Sequence, residues 1–505
     1  MPVRRNIRIK QRNIDQDKWN EMLDHFRRCG YELYDYQKTG ARFMLNREIQ
    51  PDYRPASLLC DEPGLGKTIQ TGALMYMNFK TTLLVLPKCV ISQWNDFLKC
   101  IFPDVGIYIH HGTKRCSTRA DFDMEMERSK FVLTTYGMFK ELSHYRWGRI
   151  VYDEIHYLRN PESKRSRDAR KMLAGCYLGL TGTPVNNKLN DLRTLYGILH
   201  FPEVLLDRSM SSYFDELNKR YILRRIKSDV EDVNERLRLP NLDVSVVETP
   251  LLFRDEISCH AEIMKQIYTR FAKNGILNRK LITLEWYMRM RQACLHPLLV
   301  DAGLCKKWGI DIEEFQEDAD YSGSTKFEAI RHMMNNHEDE KTLIFCHYTQ
   351  EITMLRRILE DDDWTVFQID GSKSVDERAD EVHDFRYITT KSVMIIQIKA
   401  GSVGMNLQFA SRVYITSPHW NPSVEIQAIA RAHRIGQERP VKVIKFVTVE
   451  DFGTRKFIED LILVKQGIKR DIMARVLEDD KLLENGERIT LDVEIIDKIK
   501  SGIRA

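Results

Sequence analysis

A glycine-rich turn near the start of the chain has the composition of a phosphate-binding site. Residues 61–68 read Asp-Glu-Pro-Gly-Leu-Gly-Lys-Thr, and they lie between a short apolar run and a helical pattern. Gly64 and Gly66 let backbone N–H groups approach an anion, and the start of the following helix adds partial positive charge. Lys67 can reach the outer phosphates of a nucleotide, and the Thr68 hydroxyl can bind Mg²⁺. The turn therefore predicts a nucleotide and magnesium site, although Asp61 stands where the strict motif has glycine.

Two adjacent acids follow a second apolar run in the same region. Asp153 and Glu154 come directly after Val151 and Tyr152. An aspartate at the end of a strand can hold hydrated Mg²⁺, and the neighbouring glutamate can orient and deprotonate an attacking water molecule. Such pairs also occur at ordinary loop starts. After a phosphate-binding turn in the same lobe, however, this pair predicts phosphoryl-transfer chemistry.

A third cluster lies far along the chain, at residues 427–437. If this segment is helical, Gln427, Arg431 and Arg434 lie on one face, at positions i, i+4 and i+7. Two arginines at that spacing can bind phosphate oxygens and stabilise the charge of a transition state. The alternative interpretation is a solvated basic helix.

Two regions of alternating strand and helix patterns must position these groups. From about residue 30 to 200, short runs rich in Val, Ile and Leu alternate with helical patterns, and the alternation resumes after about residue 323. This alternation is typical of parallel sheets with helices on both faces. The region between has long helical segments and few strand-like runs. The predicted fold class is therefore α/β, with two tandem lobes of parallel sheet flanked by helices and helical protrusions between them.

The predicted domain boundaries follow these changes in the sequence pattern. They are a basic N-terminal arm at 1–29, a first lobe at 30–200, helical protrusions and the inter-lobe connection at 201–322, a second lobe at 323–480 and a C-terminal tail at 481–505. The basic run at 219–227 is a candidate electrostatic contact for a polyanion, with the alternative that Arg224 and Arg225 bridge the lobes.

Composition excludes several classes of protein. The 505 residues contain no apolar run near the ~18 residues of a membrane-spanning helix, and the first residues lack the apolar segment of a signal peptide. The ten cysteines include no Cys-x-x-Cys pair, which predicts a reducing, intracellular location and no zinc module. Lys plus Arg is 77 and Asp plus Glu is 73, a formal charge of +4. A polyanion would therefore have to bind a local patch of positive charge.

Nine segments together resemble the helicase motifs of the Swi2/Snf2 family of superfamily 2. They are Tyr34–Gly40, Asp61–Gln70, Leu84–Trp94, Asp153–His156, Leu180–Pro184, Lys341–His347, Ile369–Ser372, Lys399–Leu407 and His419–Gln437. The most specific are Trp-Asn-Pro at 420–422 and His-Arg-Ile-Gly-Gln at 433–437. Residues 290–297 and 398–401 are most similar to the Rad5/Rad16-like branch, whose members usually carry a RING domain. Without paired cysteines, no RING domain is expected here.

The resemblance implies two RecA-like lobes that hydrolyse ATP with Mg²⁺ in the cleft between them. Gln37 would contact the adenine, and Thr68 and Asp153 would hold the metal. Lys67, Glu154, Arg431 and Arg434 would be catalytic. The nucleotide would be bound by the whole turn, that is by Asp61, Glu62, Pro63, Gly64, Leu65, Gly66, Lys67 and Thr68. Ala430 departs from the family pattern, because an aspartate commonly precedes the first of the two arginines.

The same resemblance implies an ATP-dependent translocase on double-stranded DNA that remodels or displaces DNA-bound proteins, nucleosomes included. The chain would act as a monomer in the nucleus or at a viral or cytoplasmic site of DNA replication. Candidate DNA contacts by motif position are Lys88, Thr134, Thr135, Tyr136, Thr183, Lys399 and Ser402. Two alternatives stay open: a helicase that separates the strands of DNA or RNA, and a non-enzymatic DNA-binding scaffold.

Overall fold

The chain folds into two compact α/β units. A computed structural model describes residues 14–50, 55–112, 115–116, 118–184, 189–201, 220–231, 239–273, 276–300, 321, 323–401, 405–449, 458–477, 487–490 and 493–504. The described residues within Met1–Arg238 and Ile472–Asp480 belong to the first unit. Those within Leu239–Asp471 and Lys481–Ala505 belong to the second unit.

The first unit alternates strands with helices along the chain. Its strands are β1 (Ala56–Leu59), β2 (Thr82–Leu86), β3 (Gly106–His110), β4 (Ser129–Thr135), β5 (Arg146–Asp153), β6 (Leu173–Leu180) and β7 (Ile222–Leu223). Its helices are α1 (Gln16–Arg28), α2 (Asp35–Ile49), α3 (Lys67–Met77), α4 (Ile91–Ile101), α5 (Arg119–Arg128), α6 (Lys164–Ala169), α7 (Leu189–Ile198) and α8 (Lys227–Glu231).

The seven strands of the first unit form one parallel sheet, in the order β3-β4-β2-β5-β6-β1-β7. The strands β1 and β2 are buried along their whole length, which agrees with their unbroken apolar sequences. Leu180 of β6 pairs with Leu59 of β1 on one side and with Asp153 of β5 on the other. The loops that follow these three strands therefore leave the sheet at the same level and at the same edge.

The second unit repeats the alternation. Its strands are β8 (Leu242–Pro250), β9 (Thr342–Cys346), β10 (Thr365–Ile369), β11 (Ser392–Gln397), β12 (Arg412–Ile415), β13 (Val441–Val449) and β14 (Glu487–Thr490). Its helices are α9 (Arg254–Lys273), α10 (Ile276–Ala293), α11 (Thr325–Asn335), α12 (Thr349–Glu360), α13 (Val375–Tyr387), α14 (Ile398–Gly401), α15 (Pro422–Ile429), α16 (Ile458–Leu477, up to Asp471) and α17 (Val493–Arg504).

The second sheet is also parallel and has the same topology as the first. Its order is β10-β11-β9-β12-β13-β8-β14, and each strand number exceeds by seven that of the corresponding strand in the first sheet. The strand β8 therefore occupies the position that β1 holds in the first unit. The predicted fold class, two tandem lobes of parallel sheet flanked by helices, is confirmed.

The region at 201–322, which was predicted to be mostly helical, also contains a strand. It contains the strand β8, which pairs with both β13 and β14, as well as the helices α9 and α10. The sequence of β8 mixes apolar and polar residues, and its first half is partly exposed. Because β8 lies next to an edge strand, the continuous apolar run that marks central parallel strands is missing. Among the described residues, no helix has the length and apolarity needed to cross a bilayer.

Candidate functional site

The phosphate turn follows β1 and leads directly into α3. Gly64 and Gly66 have φ angles of 96° and 73°, a left-handed conformation that glycine adopts without strain. A Cβ atom on Gly66 would lie 2.5 Å from Gln37 Nε2, so only glycine fits this position. The Lys67 Nζ donates to the carbonyl oxygen of Asp61 at 2.8 Å, inside the turn. The turn therefore has the backbone shape that admits a phosphate group, with a cation at its centre.

Gln37 lies beside this turn, at the start of α2. Its side-chain oxygen accepts a hydrogen bond from the Tyr34 N–H at 3.0 Å, and its Nε2 donates to the Tyr36 hydroxyl at 3.1 Å and to the Leu65 carbonyl at 3.4 Å. The side chain is only 4% exposed. Gln37 is thus held against the phosphate turn, and its contact with an adenine stays a prediction.

Asp153 ends β5 at the level of the phosphate turn. Its Oδ2 accepts a hydrogen bond from Trp94 Nε1 at 2.8 Å, and its backbone carbonyl accepts one from the Tyr136 hydroxyl at 2.7 Å. Burial and the charge of Glu154 raise the pKa of Asp153 to about 6, whereas Trp94 and Lys67 act in the opposite direction. A half-buried carboxylate next to a second acid suits a divalent cation, which takes oxygen ligands. The Asp153 carboxylate therefore fits Mg²⁺, and the part of the Thr68 hydroxyl in holding the metal stays a prediction.

Glu154 adopts a left-handed backbone conformation, with φ 54° and ψ 51°, which is uncommon for a residue other than glycine. Its Oε2 lies 3.1 Å from His156 Nδ1, and the same nitrogen lies 3.0 Å from the Thr181 hydroxyl. Thr181 in turn accepts a hydrogen bond from the Thr183 N–H at 3.1 Å. These contacts connect the acid pair to the loop after β6.

Gly182 lies in that loop and approaches the phosphate turn. A Cβ atom at Gly182 would lie 2.7 Å from the ring of Pro63. The loop after β6 therefore packs directly on the turn. The structure thus brings together the predicted residues of the first lobe, from Gln37 to the acid pair.

The two arginines belong to the second unit, and the helix before them is shorter than the sequence interpretation assumed. The helix α15 ends at Ile429, so Arg431 and Arg434 lie in the turn that follows and do not share a helical face with Gln427. The chain tightens there because Arg431 N donates to Ala428 O at 3.1 Å, an i to i−3 bond. Burial lowers the pKa of Arg434. The catalytic role of both arginines stays a prediction.

The predicted DNA contacts differ in exposure. Lys88 and Lys399 are exposed, whereas Thr134, Thr135, Tyr136 and Thr183 are buried. The Thr134 hydroxyl donates to the His110 carbonyl, and the Tyr136 hydroxyl donates to the Asp153 carbonyl. These four residues expose little surface, and their contact with a DNA backbone stays a prediction. Ser402 lies outside the described residues.

Two arginines of the basic run at 219–227 contact the first unit, and the contact of this run with a polyanion stays a prediction. Within the described part of this run, Arg224 Nη1 donates to the carbonyl oxygens of Cys60 and Gly182, at 3.1 and 3.3 Å. Arg225 forms an ion pair with the fully buried carboxylate of Asp61. Both arginines thus contact the phosphate turn and the loop beside it. Neither Arg225 nor the Trp94 contact was found from the sequence, because each partner is far away along the chain.

Two family models match the chain. The SNF2-related domain matches residues 36–299, and the helicase conserved C-terminal domain matches residues 325–436.

Curated relatives are similar over most of the chain. The putative ATP-dependent helicase/translocase YwqA of Bacillus subtilis is 30% identical over 89% of this chain and 49% of its own length. The ISWI chromatin-remodeling complex ATPase ISW2 of Saccharomyces cerevisiae is 26% identical over 93% of this chain and 45% of its own length. The chain therefore spans about half the length of these curated relatives.

Among solved structures, the Sulfolobus solfataricus SWI2/SNF2 ATPase core in complex with dsDNA matches 93% of this chain and 97% of that chain. It is 24% identical, with a TM-score of 0.39.

Proposed function

The chain belongs to the SNF2-related ATPases of helicase superfamily 2, and on that premise we propose that it translocates along double-stranded DNA and displaces or remodels bound proteins. The observation that carries the proposal is the common level of the phosphate turn and the acid pair at one edge of the first sheet. This arrangement supports a site for phosphates beside one carboxylate that would hold a metal and a second that would accept a proton.

The residues of the first unit divide the chemistry among them. Gln37 orients the base, the backbone from Gly64 to Thr68 binds the phosphates, and Lys67 turns from the Asp61 carbonyl towards them. Mg²⁺, when bound by Thr68 and Asp153, supplies positive charge to the phosphate oxygens. Glu154 accepts the proton of the attacking water, and His156 and the loop after β6 hold this carboxylate in place.

Two further roles belong to the proposal because they rest on motif position. Arg431 and Arg434 supply positive charge in the transition state of hydrolysis. Lys88 and Lys399 bind DNA phosphates, so that DNA affinity falls with salt and depends little on sequence. The names of the two relatives, a helicase/translocase and a chromatin-remodeling ATPase, support action on DNA and nucleosomes.

The test is ATP hydrolysis measured side by side with naked duplex DNA, nucleosomes, single-stranded DNA and RNA. We expect duplex DNA and nucleosomes to stimulate hydrolysis most strongly, and we expect none in the Glu154→Gln variant. Stimulation by RNA or single strands alone, with processive unwinding of a forked substrate, would identify a strand-separating helicase. DNA binding without any hydrolysis would identify a scaffold.

A further inference from the structure

Arg225 is the centre of a buried polar cluster beneath the phosphate turn. Its Nε donates to Asp61 Oδ1 at 3.0 Å, and its Nη2 donates to Asp61 Oδ2 and, at 2.7 Å, to Gln70 Oε1. Gln70 also donates to Asp61 at 3.0 Å and to the Leu65 carbonyl at 3.2 Å. The Asp61 carboxylate is fully buried, and one guanidinium and one amide donate hydrogen bonds to it. These donors compensate the cost of burying its charge.

The backbone on either side of Arg225 runs alongside the phosphate turn and is hydrogen-bonded to it. We call residues 222–227 the flanking segment. Cys60 N donates to Leu223 O at 2.7 Å, and Glu62 N donates to Arg225 O at 3.0 Å. Lys227 N in turn donates to the Glu62 carboxylate at 2.8 Å. The hydrogen bonding between β1 and β7 thus continues past the ends of both strands. It holds the flanking segment against the first half of the phosphate turn.

The helix α2 also packs against this cluster. Arg225 Nη1 donates to the Tyr36 carbonyl, and its guanidinium lies 5.2 Å from the centroid of the Tyr36 ring. A Cβ atom on Gly40 would lie 1.9 Å from Gln70 Oε1 and 2.7 Å from Arg225 Nη2. The helix α2 can therefore approach the cluster only because residue 40 is glycine.

We propose that Arg225 is a positioning residue for nucleotide binding, which sets the shape of the phosphate turn through Asp61 and couples it to the flanking segment. Asp61 stands where the strict phosphate motif has glycine, and its carboxylate is the group that Arg225 holds. Because coupling is reciprocal, a bound nucleotide stabilises the flanking segment as much as that segment stabilises the turn. The inference rests on the proposed ATPase function, since it concerns the same site.

Direct binding of a fluorescent ATP analogue with Mg²⁺ tests the proposal, with Arg225→Gln as the variant. The matched control is Arg149→Gln, which breaks another buried pair of the first unit, Arg149 with Glu48, at 0% and 3% exposure. Arg149 contacts Glu48, Asn78 and Thr82 and no residue of the turn. We expect Arg225→Gln to weaken binding about tenfold or more and to raise KM for ATP more than it lowers kcat. The control should bind as the wild type does.

Equal affinities in the two variants would overturn the inference while leaving the proposed function intact, whereas a wild-type chain that binds no ATP would overturn both. If Arg225→Gln does not fold, Gly40→Ala replaces it. This variant keeps every charge and pushes on Gln70 and Arg225, and it should also weaken binding. Wild-type affinity in Gly40→Ala would again overturn the inference.

Hydrogen exchange of the wild-type chain tests the coupling itself. A non-hydrolysable ATP analogue should slow exchange of the amides of the flanking segment, Lys227 above all, because its N–H is bonded to Glu62. Unchanged exchange in 222–227 with the nucleotide site saturated would overturn the coupling.

Discussion

Buried side chains far apart in sequence hold the reactive groups of the candidate site. Lys67, Asp153 and Glu154 could be predicted because each belongs to a short local motif. The partners that orient them could not: Trp94 is 59 residues from Asp153, and Arg225 is 164 residues from Asp61. A tryptophan in an amphipathic helix and an arginine in a basic run have no local pattern that indicates such a contact. Only the strand order brings them to the site.

Trp94→Phe should weaken the metal site while leaving the fold intact. The substitution keeps an aromatic ring in the core but removes the N–H that donates to Asp153. A hydrogen bond to a charged group contributes about 1.5–3 kcal/mol, so we expect at least a tenfold higher Mg²⁺ concentration for half-maximal ATP hydrolysis. The control is Trp147→Phe, whose N–H donates to the Leu142 carbonyl. A Mg²⁺ requirement equal in both variants would contradict the assigned role of Trp94.

Two variants should separate nucleotide binding from turnover. Lys67→Ala removes the cation at the centre of the turn and should lose both binding and hydrolysis. Arg434→Ala should keep ATP affinity and lose ~10³–10⁵-fold in turnover, the usual contribution of an arginine in the transition state. Equilibrium binding and single-turnover hydrolysis distinguish the two. Near-normal turnover in Arg434→Ala would remove this arginine from the mechanism.

At the scale of elements, the sequence pattern identified the central strands and failed at the margins of the second sheet. The run at β9 is buried throughout and the run at β11 is buried up to Ile396, as their apolar sequences predict. The sequence pattern missed the strand β8 because part of that strand is polar. It also extended the helix α15 beyond its end at Ile429. The end of α15 involves local backbone hydrogen bonds, such as that from Arg431 N to Ala428 O. Helical periodicity alone does not contain that information.

Helix α16 provides a test at this scale, because a buried ion pair anchors its start. Lys326 of α11 contacts Glu459 at 2.9 Å, with exposures of 1% and 0%. The same carboxylate accepts hydrogen bonds from the Ser417 hydroxyl and from Thr448 N, at 2.5 and 2.6 Å. Lys326→Ala leaves this charge buried without its cation, which should cost about 3–5 kcal/mol of unfolding free energy.

The control for this measurement is Arg356→Ala, which removes an exposed ion pair with Glu360 on α12. Exposed pairs contribute only about 0–1 kcal/mol. Denaturant unfolding of the full chain, followed for both variants, should therefore show a large loss only for Lys326→Ala. Similar losses in the two variants would show that the Lys326 pair does not anchor α16.

At the scale of the whole molecule, two sheets of one topology carry different chemistry. The strand β1 leads into the phosphate turn, whereas β8, in the equivalent position of the second sheet, leads to Leu251-Leu252-Phe253 and contains no such turn. Among the described residues the nucleotide motif thus belongs to the first unit. The two-lobed fold could be predicted from alternation alone, but the equivalence of β1 and β8 became visible only in the sheet order.

The measurement that tests the central claim most directly is displacement of a third DNA strand from a triplex ahead of the moving protein. We predict ATP-dependent displacement without separation of the underlying duplex, and its loss in Glu154→Gln. ATP hydrolysis that leaves the triplex intact, or unwinding of a forked duplex by the same protein, would contradict translocation on double-stranded DNA.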